Sequence, residues 1–385
     1  MLNAIKSALL LAAACLPLSA YAQDISAMSP EEALPFLDAM TSEELLPLAQ
    51  KEGQVVVFSL SSRIARVEAA FEAQYPGVDL VGVDLSSTKQ IARVVAEQQA
   101  GVYAVDVLYL ADTPIVYGDL LAQGRIHNYM PPRVAGEIEP ALQQPLAVHR
   151  LSTKVLMYNE AAYPDGSPIS NLWQLTLPEW RSKVLMVDPS QRGELLDLLT
   201  EIALHPDEMA AAYEAQFGSP IQVDGDLQGA GEQFVRDLFE NDLILVANSD
   251  VLNESVGDVE AADPPVAFGT YSDRRDNEDE GWALQVANDV VPANGILFPA
   301  VLTVADKAPH PAAARLVIDF MYGDDSASGG PGFEPFNVPG DYAVRSTITD
   351  DPDSVPLDEL NAWTIDPAAT AAARGRIADL IITLQ

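Results

Sequence analysis

The stretch EGQVVVFSLSSRIARVEAAFEAQYPGVDL, Glu52 to Leu80, reads as strand, hydroxyl-rich loop, helix and next strand with no spare residues. Val55 to Phe58 is a continuous apolar run, the pattern of a strand buried on both faces. Ser59, Ser61, Ser62 and Arg63 then fall where the strand stops and a helix begins, a place where free backbone N–H groups and the positive end of a helix dipole face outward. That loop is a candidate wall of a small-molecule site, and the chain repeats the device.

Upstream, Lys6 precedes an apolar run from Ala8 to Leu18, and Ala20-Tyr21-Ala22 offers a small-x-small cleavage pattern before Gln23. Residues 1–22 read as a secretory signal peptide, which places the mature protein in the periplasm. Cys15, the only cysteine, lies inside that leader, so the mature chain carries no thiol for a disulfide or a cysteine metal site. Lipoprotein cleavage before Cys15 would put Ala12 three residues upstream, a poor fit. No other apolar run is long enough to cross a bilayer.

The formal charge of −36 excludes a general nucleic-acid binder, because neutralising phosphates needs an excess of Lys and Arg. With 6 Lys against 15 Arg, the acidic surface fits adaptation to salty surroundings, and a functional acidic patch is the other reading.

Two capped helices follow the leader. Ser29-Pro30-Glu31-Glu32 and Thr41-Ser42-Glu43-Glu44 are both helix starts, the second a capping box, and Gly53 closes the second helix. Three strand–loop–helix units come next: Val55 to Phe58 with a helix to Gln74, Val78 to Leu85 with a helix from Lys89 to Gln99, and Val105 to Leu110 with a helix from Ile115 to Gln123. Such alternation predicts an α/β fold with a mainly parallel sheet covered on both faces. Right-handed crossovers bring every strand-to-helix loop to one sheet edge, so the loops at Ser61, Ser62 and Arg63, at Ser87 and Thr88, and at Asp112 share a rim.

Around Ala147 to Asn159 the pattern changes to a strand or crossover, which marks passage into a second lobe. Two more units lie there. Val184 to Val187 leads through Ser190 and Arg192 to a helix ending at Leu204, and a helix over Glu232 to Phe239 leads to Leu243 to Ala247, then Ser249 and Asp250. Ile296 to Val304 is a returning strand, Pro311 to Tyr322 an apolar-faced helix, and a last helix starts at Asp366-Pro367. The domain reading is therefore a helical extension over 23–52, one lobe over 53–152 with 296–332, and a second over 153–295 with 333–385.

The run Ala49-Gln50-Lys51-Glu52-Gly53-Gln54-Val55-Val56-Val57-Phe58-Ser59 resembles the start of periplasmic solute-binding proteins of bacterial ABC importers, in the branch that includes ferric-iron binding proteins. Val155-Leu156-Met157-Tyr158-Asn159, Leu172-Trp173-Gln174-Leu175, Pro178 to Val184 and His310 to Leu316 extend the likeness over roughly residues 46 to 350. The resemblance implies two doubly wound lobes joined by hinge crossovers, a ligand captured in the cleft, delivery to permease transmembrane subunits, and a monomer without cofactor. In ferric-iron relatives a tyrosine pair follows the strand matching Leu243 to Ala247. Here Ser249-Asp250 stands there, and the chain has no adjacent tyrosines.

Arg63 and Arg192, each beside serines at a helix start, suit an anion clamp for phosphate, phosphonate or carboxylate. Asp112 and Asp250 suit a cation or amine, and Asp112 also suits a helix cap. Tyr271 and Trp282 are the aromatics placed for cleft contact. The four histidines lack metal-site spacing, and no nucleophile–base motif marks an enzyme. The expectation is a receptor for a small anionic solute, with iron in an altered shell or a polyamine- or thiamine-like cation as alternatives.

Overall fold

The computed structural model describes residues 30–385; the leader and Ser29 lie outside the described residues. Helices α1 (Pro30–Asp38) and α2 (Ser42–Glu52) open the chain. Thr41 caps α2 in a reciprocal capping box with Glu44, and Gly53 ends it in the left-handed region at φ 78°. Then come β1 (Gln54–Ser59), α3 (Ile64–Gln74), β2 (Asp79–Asp84), α4 (Ser87–Gln99) and β3 (Val107–Leu110). β1 pairs in parallel with both β2 and β3, so the three following loops do emerge at one edge. The third helix differs from expectation: Thr113–Ile115 passes into a wide π-helical turn, Val116–Leu121, whose Val116 and Leu120 are both buried.

β4 (Ile126–Asn128) and the long β5 (Val148–Asn159) follow. Beyond β5 lie β6 (Val184–Val187), α5 (Gly193–Leu204), α6 (Pro206–Phe217), α7 (Ala230–Glu240), β7 (Ile244–Val246), α8 (Ser249–Gly257), β8 (Val266–Gly269) and β9 (Leu284–Val286). The chain ends with β10 (Gly295–Ala305), α9 (Pro311–Met321), β11 (Tyr342–Ala343), β12 (Ala362–Thr364) and α10 (Pro367–Leu384). β6 pairs in parallel with β7 and β8, a second doubly wound unit. β5 and β10 pair antiparallel along their lengths and join the two units, giving the order β2-β1-β3-β10-β5-β8-β6-β7.

Two hydrophobic cores flank these crossing strands. Val148 of β5 and Ala300 to Leu302 of β10 belong to the first core, with β1, β3 and α9. Val155 to Tyr158 of β5 and Ile296 and Phe298 of β10 belong to the second, with β6, β8 and α5. The C-terminal segment serves both: Phe336 and Val344 pack in the first core, Trp363, Ile365, Ile377 and Ile381 in the second. Between the cores β5 carries Arg150, Ser152, Thr153 and Lys154, all buried. Polar side chains so placed are at the junction of two lobes, where small-molecule sites are commonly built.

Candidate ligand site

A small enclosure at this junction lies at the carboxyl ends of the parallel strands β6 and β8 and holds about 10 Å³. Lys154 of β5, Arg192 at the start of α5, Ser249 and Asn253 of α8, and Thr270 and Asp273 after β8 supply its polar wall. Val187, Leu195, Leu252 and Phe268 supply the apolar one.

Lys154 is 8% exposed. Its ammonium donates to the Thr270 hydroxyl at 2.6 Å and forms no ion pair among the described residues. Burial pushes its pKa down; Glu194 opposes that shift, and the charge of Arg192 adds to it. Arg192 is half-buried and has no hydrogen-bonded or ion-paired side chain among the described residues. Asp273, by contrast, is engaged: it accepts from Asn253 Nδ2 at 3.0 Å and from Arg275 Nη1 at 3.1 Å. Because Asn253 donates through its nitrogen, its Oδ1 is the atom left over, buried without a partner. The enclosure thus presents two cations without an ion-pair partner among the described residues, the hydroxyls of Ser249 and Thr270, the engaged Asp273 carboxylate and one spare acceptor. A buried charge such as that of Lys154 is costly unless something pairs with it.

Arg63 has a different fate. It stands at the start of α3, and its guanidinium donates to Asp341 Oδ2 at 2.8 Å, to the Ser61 hydroxyl at 3.0 Å and to the Ser272 hydroxyl at 3.3 Å. Asp341 Oδ1 accepts from Arg150 Nη1 and from Ser152 Oγ, the latter at 2.6 Å. Burial pushes the Asp341 carboxyl upward, but Arg150 and Arg63 outweigh it and hold the group below the ordinary carboxylate range. Tyr271 also faces this segment: its hydroxyl accepts from Val355 N–H at 2.9 Å and its ring lies against Gly340.

Asp112, in the left-handed region at φ 60°, reaches the amino end of α5, where a side chain on Gly193 would meet Asp112 Oδ2 at 2.1 Å. Arg374 of α10 pairs with Asp112 and, at 3.3 Å, with Asp197 of α5. Burial raises the Asp112 carboxyl, with Arg374 opposing it. This guanidinium ties the loop after β3 to the second unit.

The remaining candidates are scattered. Ser87 is buried and accepts from Ala111 N–H at 3.0 Å, fastening α4 to the end of β3. Thr88 is half-buried on α4, while Ser62, Ser190 and Asp250 are exposed. Trp282 packs over Gly257 and does not line the enclosure. Of the twelve candidate residues, the structure brings Arg192 and Ser249 into one enclosure, and gathers Ser61, Arg63 and Tyr271 around the Asp341 segment. Lys154, Arg150 and Asp341 were not among the candidates. Lys154 left a legible signal: a cation directly before the apolar run Val155-Leu156-Met157 of a strand buried on both faces. Asp341 left none, since Gly340-Asp341-Tyr342 looks like any turn. Among the described residues no group of three His, Cys, Asp or Glu side chains is arranged to hold a metal ion.

The family model for bacterial extracellular solute-binding proteins matches residues 59–328. No curated protein matches the chain. Among solved structures, the periplasmic binding protein P5PA aligns at 13% identity with a TM-score of 0.66, covering 86% of this chain and 100% of its own. Iron-bound HitA from Pseudomonas aeruginosa aligns at 16% and 0.66, covering 86% and 99%. AfuA from Actinobacillus pleuropneumoniae, with fructose-6-phosphate bound, aligns at 16% and 0.65, covering 86% and 97%. These likenesses establish the two-lobed fold.

Proposed function

The chain belongs to the bacterial extracellular solute-binding proteins, and from that premise we propose that it captures a small solute with one anionic group and delivers it to the permease of an ABC importer. The observation that carries the reading is the buried Lys154 ammonium, which shares an enclosure with the unpaired Arg192 and has a single hydroxyl as its protein partner. A carboxylate, phosphate or phosphonate would complete both cations with charge-assisted hydrogen bonds. The spare Asn253 Oδ1 favours a solute that also carries a donor, such as a hydroxyl or an ammonium.

In this reading the protein works in the periplasm, binds without catalysis, and has lobes built chiefly from 53–152 with 296–332 and from 153–295 with 333–385, Phe336 and Val344 of the last segment packing back on the first. Relatives of the same fold hold iron or a sugar phosphate, so cargo is tested directly. Melting temperature is measured across organophosphates, phosphonates, carboxylates, polyamines and ferric salts, and mass spectrometry identifies any solute retained through purification. Binding of the best anion is then measured in Lys154→Met and Arg192→Met. Each is expected to weaken it by about 2–4 kcal/mol, roughly 30- to 1000-fold. Ligand-free Lys154→Met is expected to be at least as stable as wild type, because a desolvated charge has been removed. Anion affinity unchanged in both variants, or spermidine as the strongest stabiliser, would sink this reading.

A further inference from the structure

Asp341 is held as a bound anion would be held. Its side chain is fully buried, and both oxygens are taken by donors from distant parts of the chain: Arg63 before α3, and Arg150 and Ser152 on β5. Its own segment is held there by a two-residue strand pairing, Tyr342 and Ala343 against Leu151 and Arg150, and by the Thr153 hydroxyl, which donates to the Gly340 carbonyl at 3.3 Å. Two guanidiniums meet one carboxylate, and neither pairs with another acid among the described residues. The cluster keeps one excess positive charge. It also lies along β5 from Lys154, on the polar stretch that separates the two cores.

We infer that Arg63, Arg150 and Ser152 form an anion subsite which the chain fills with its own Asp341, and that Asp341 thereby restricts the cargo to a single anionic group. The tethered carboxylate occupies the cations nearest the first lobe, offsets one of their two charges and blocks a second head group from reaching them. Of the four cations at the junction, Lys154 and Arg192 are left without an ion-pair partner among the described residues. The statement about cargo rests on the proposed function; the statement about the subsite does not.

The test is chemical rescue. Asp341→Ala removes the carboxylate and leaves a hole between the two guanidiniums, whereas Asp341→Asn keeps it filled. At constant ionic strength and without cargo, sodium formate is expected to raise the melting temperature of Asp341→Ala saturably, by about 3 °C or more, and to move wild type and Asp341→Asn by less than a third of that. If Asp341→Ala does not fold in chloride, its refolding yield with formate and the melting of Asp341→Ser replace the measurement. No saturable rescue in any of these overturns the subsite. In a second arm, Asp341→Ala is expected to gain at least tenfold in affinity for a two-headed anion relative to its one-headed counterpart. Rescue with unchanged selectivity overturns the specificity role alone. Rescue together with cargo affinity indifferent to Lys154 and Arg192 overturns the proposed function and leaves the subsite standing.

Discussion

Arg150 reaches Asp341 because a chain of neutral groups holds it in place. Its Nε donates to the Tyr109 hydroxyl at 2.7 Å, and that hydroxyl lies 2.7 Å from His149 Nδ1. His149 Nε2 lies 2.8 Å from the Met321 carbonyl, which can only accept, so the ring proton sits on Nε2 and Tyr109 donates to Nδ1. Burial, the largest influence, pushes the His149 imidazole down to about 3, against the Met321 carbonyl. The folded value lies below the unfolded one, so the unfolded chain takes up the extra proton as pH falls. The stabilisation is complete above the unfolded value of about 6.5 and is lost as pH drops through the window toward 3, by about 1.4 kcal/mol per unit. The unfolding free-energy difference between wild type and His149→Gln, measured in urea, should therefore shrink by that amount per unit between about pH 6 and 4. A flat difference would mean that the ring is already charged in the folded protein.

At the scale of elements, most of the fold was legible. The capping box of α2, the boundaries of β6 and α5, and the start of α10 at Pro367 were all readable, because a cap, a β-branched run or a proline acts over a few residues. Short strands β8 and β9 were not, since their pairing with β5 and β6 is what makes them strands. The contact of α5 with the first unit was equally hidden. Gly193 leaves room for Asp112, and an added Cβ would also come within 2.8 Å of Arg374 Nη2. Gly193→Ala should push Asp112 and Arg374 back and hold the two units apart. Its affinity for cargo is expected to fall about tenfold or more, with a larger radius of gyration by X-ray scattering in the presence of cargo. Gly136→Ala, at a position with open space around it, is the control that should change neither.

For the whole molecule, the charge of −36 sets the terms of encounter. A small anion approaching so acidic a surface is repelled until it reaches the cations at the junction, and added salt screens that repulsion. The association rate of the proposed anionic cargo should therefore rise, by roughly two- to fivefold, as sodium chloride goes from about 20 to 300 mM, while dissociation changes little. Stopped-flow kinetics would read it. An association rate that falls with salt instead points to a cationic cargo steered by the acidic surface.

The sequence by itself determined that strands and helices alternate, that their polar loops share a rim, and that the chain resembles the solute-binding family. Those properties depend on periodicity, caps and local order. Only the tertiary structure decided which arginine is open to a ligand. Arg63 and Arg192 have nearly the same local setting, a guanidinium beside serines at a helix start. Arg63 is closed by Asp341, which lies 278 residues away, and Arg192 meets no such partner among the described residues. The availability of a charge is set by what the chain path brings against it at three ångströms, and no local pattern encodes that path.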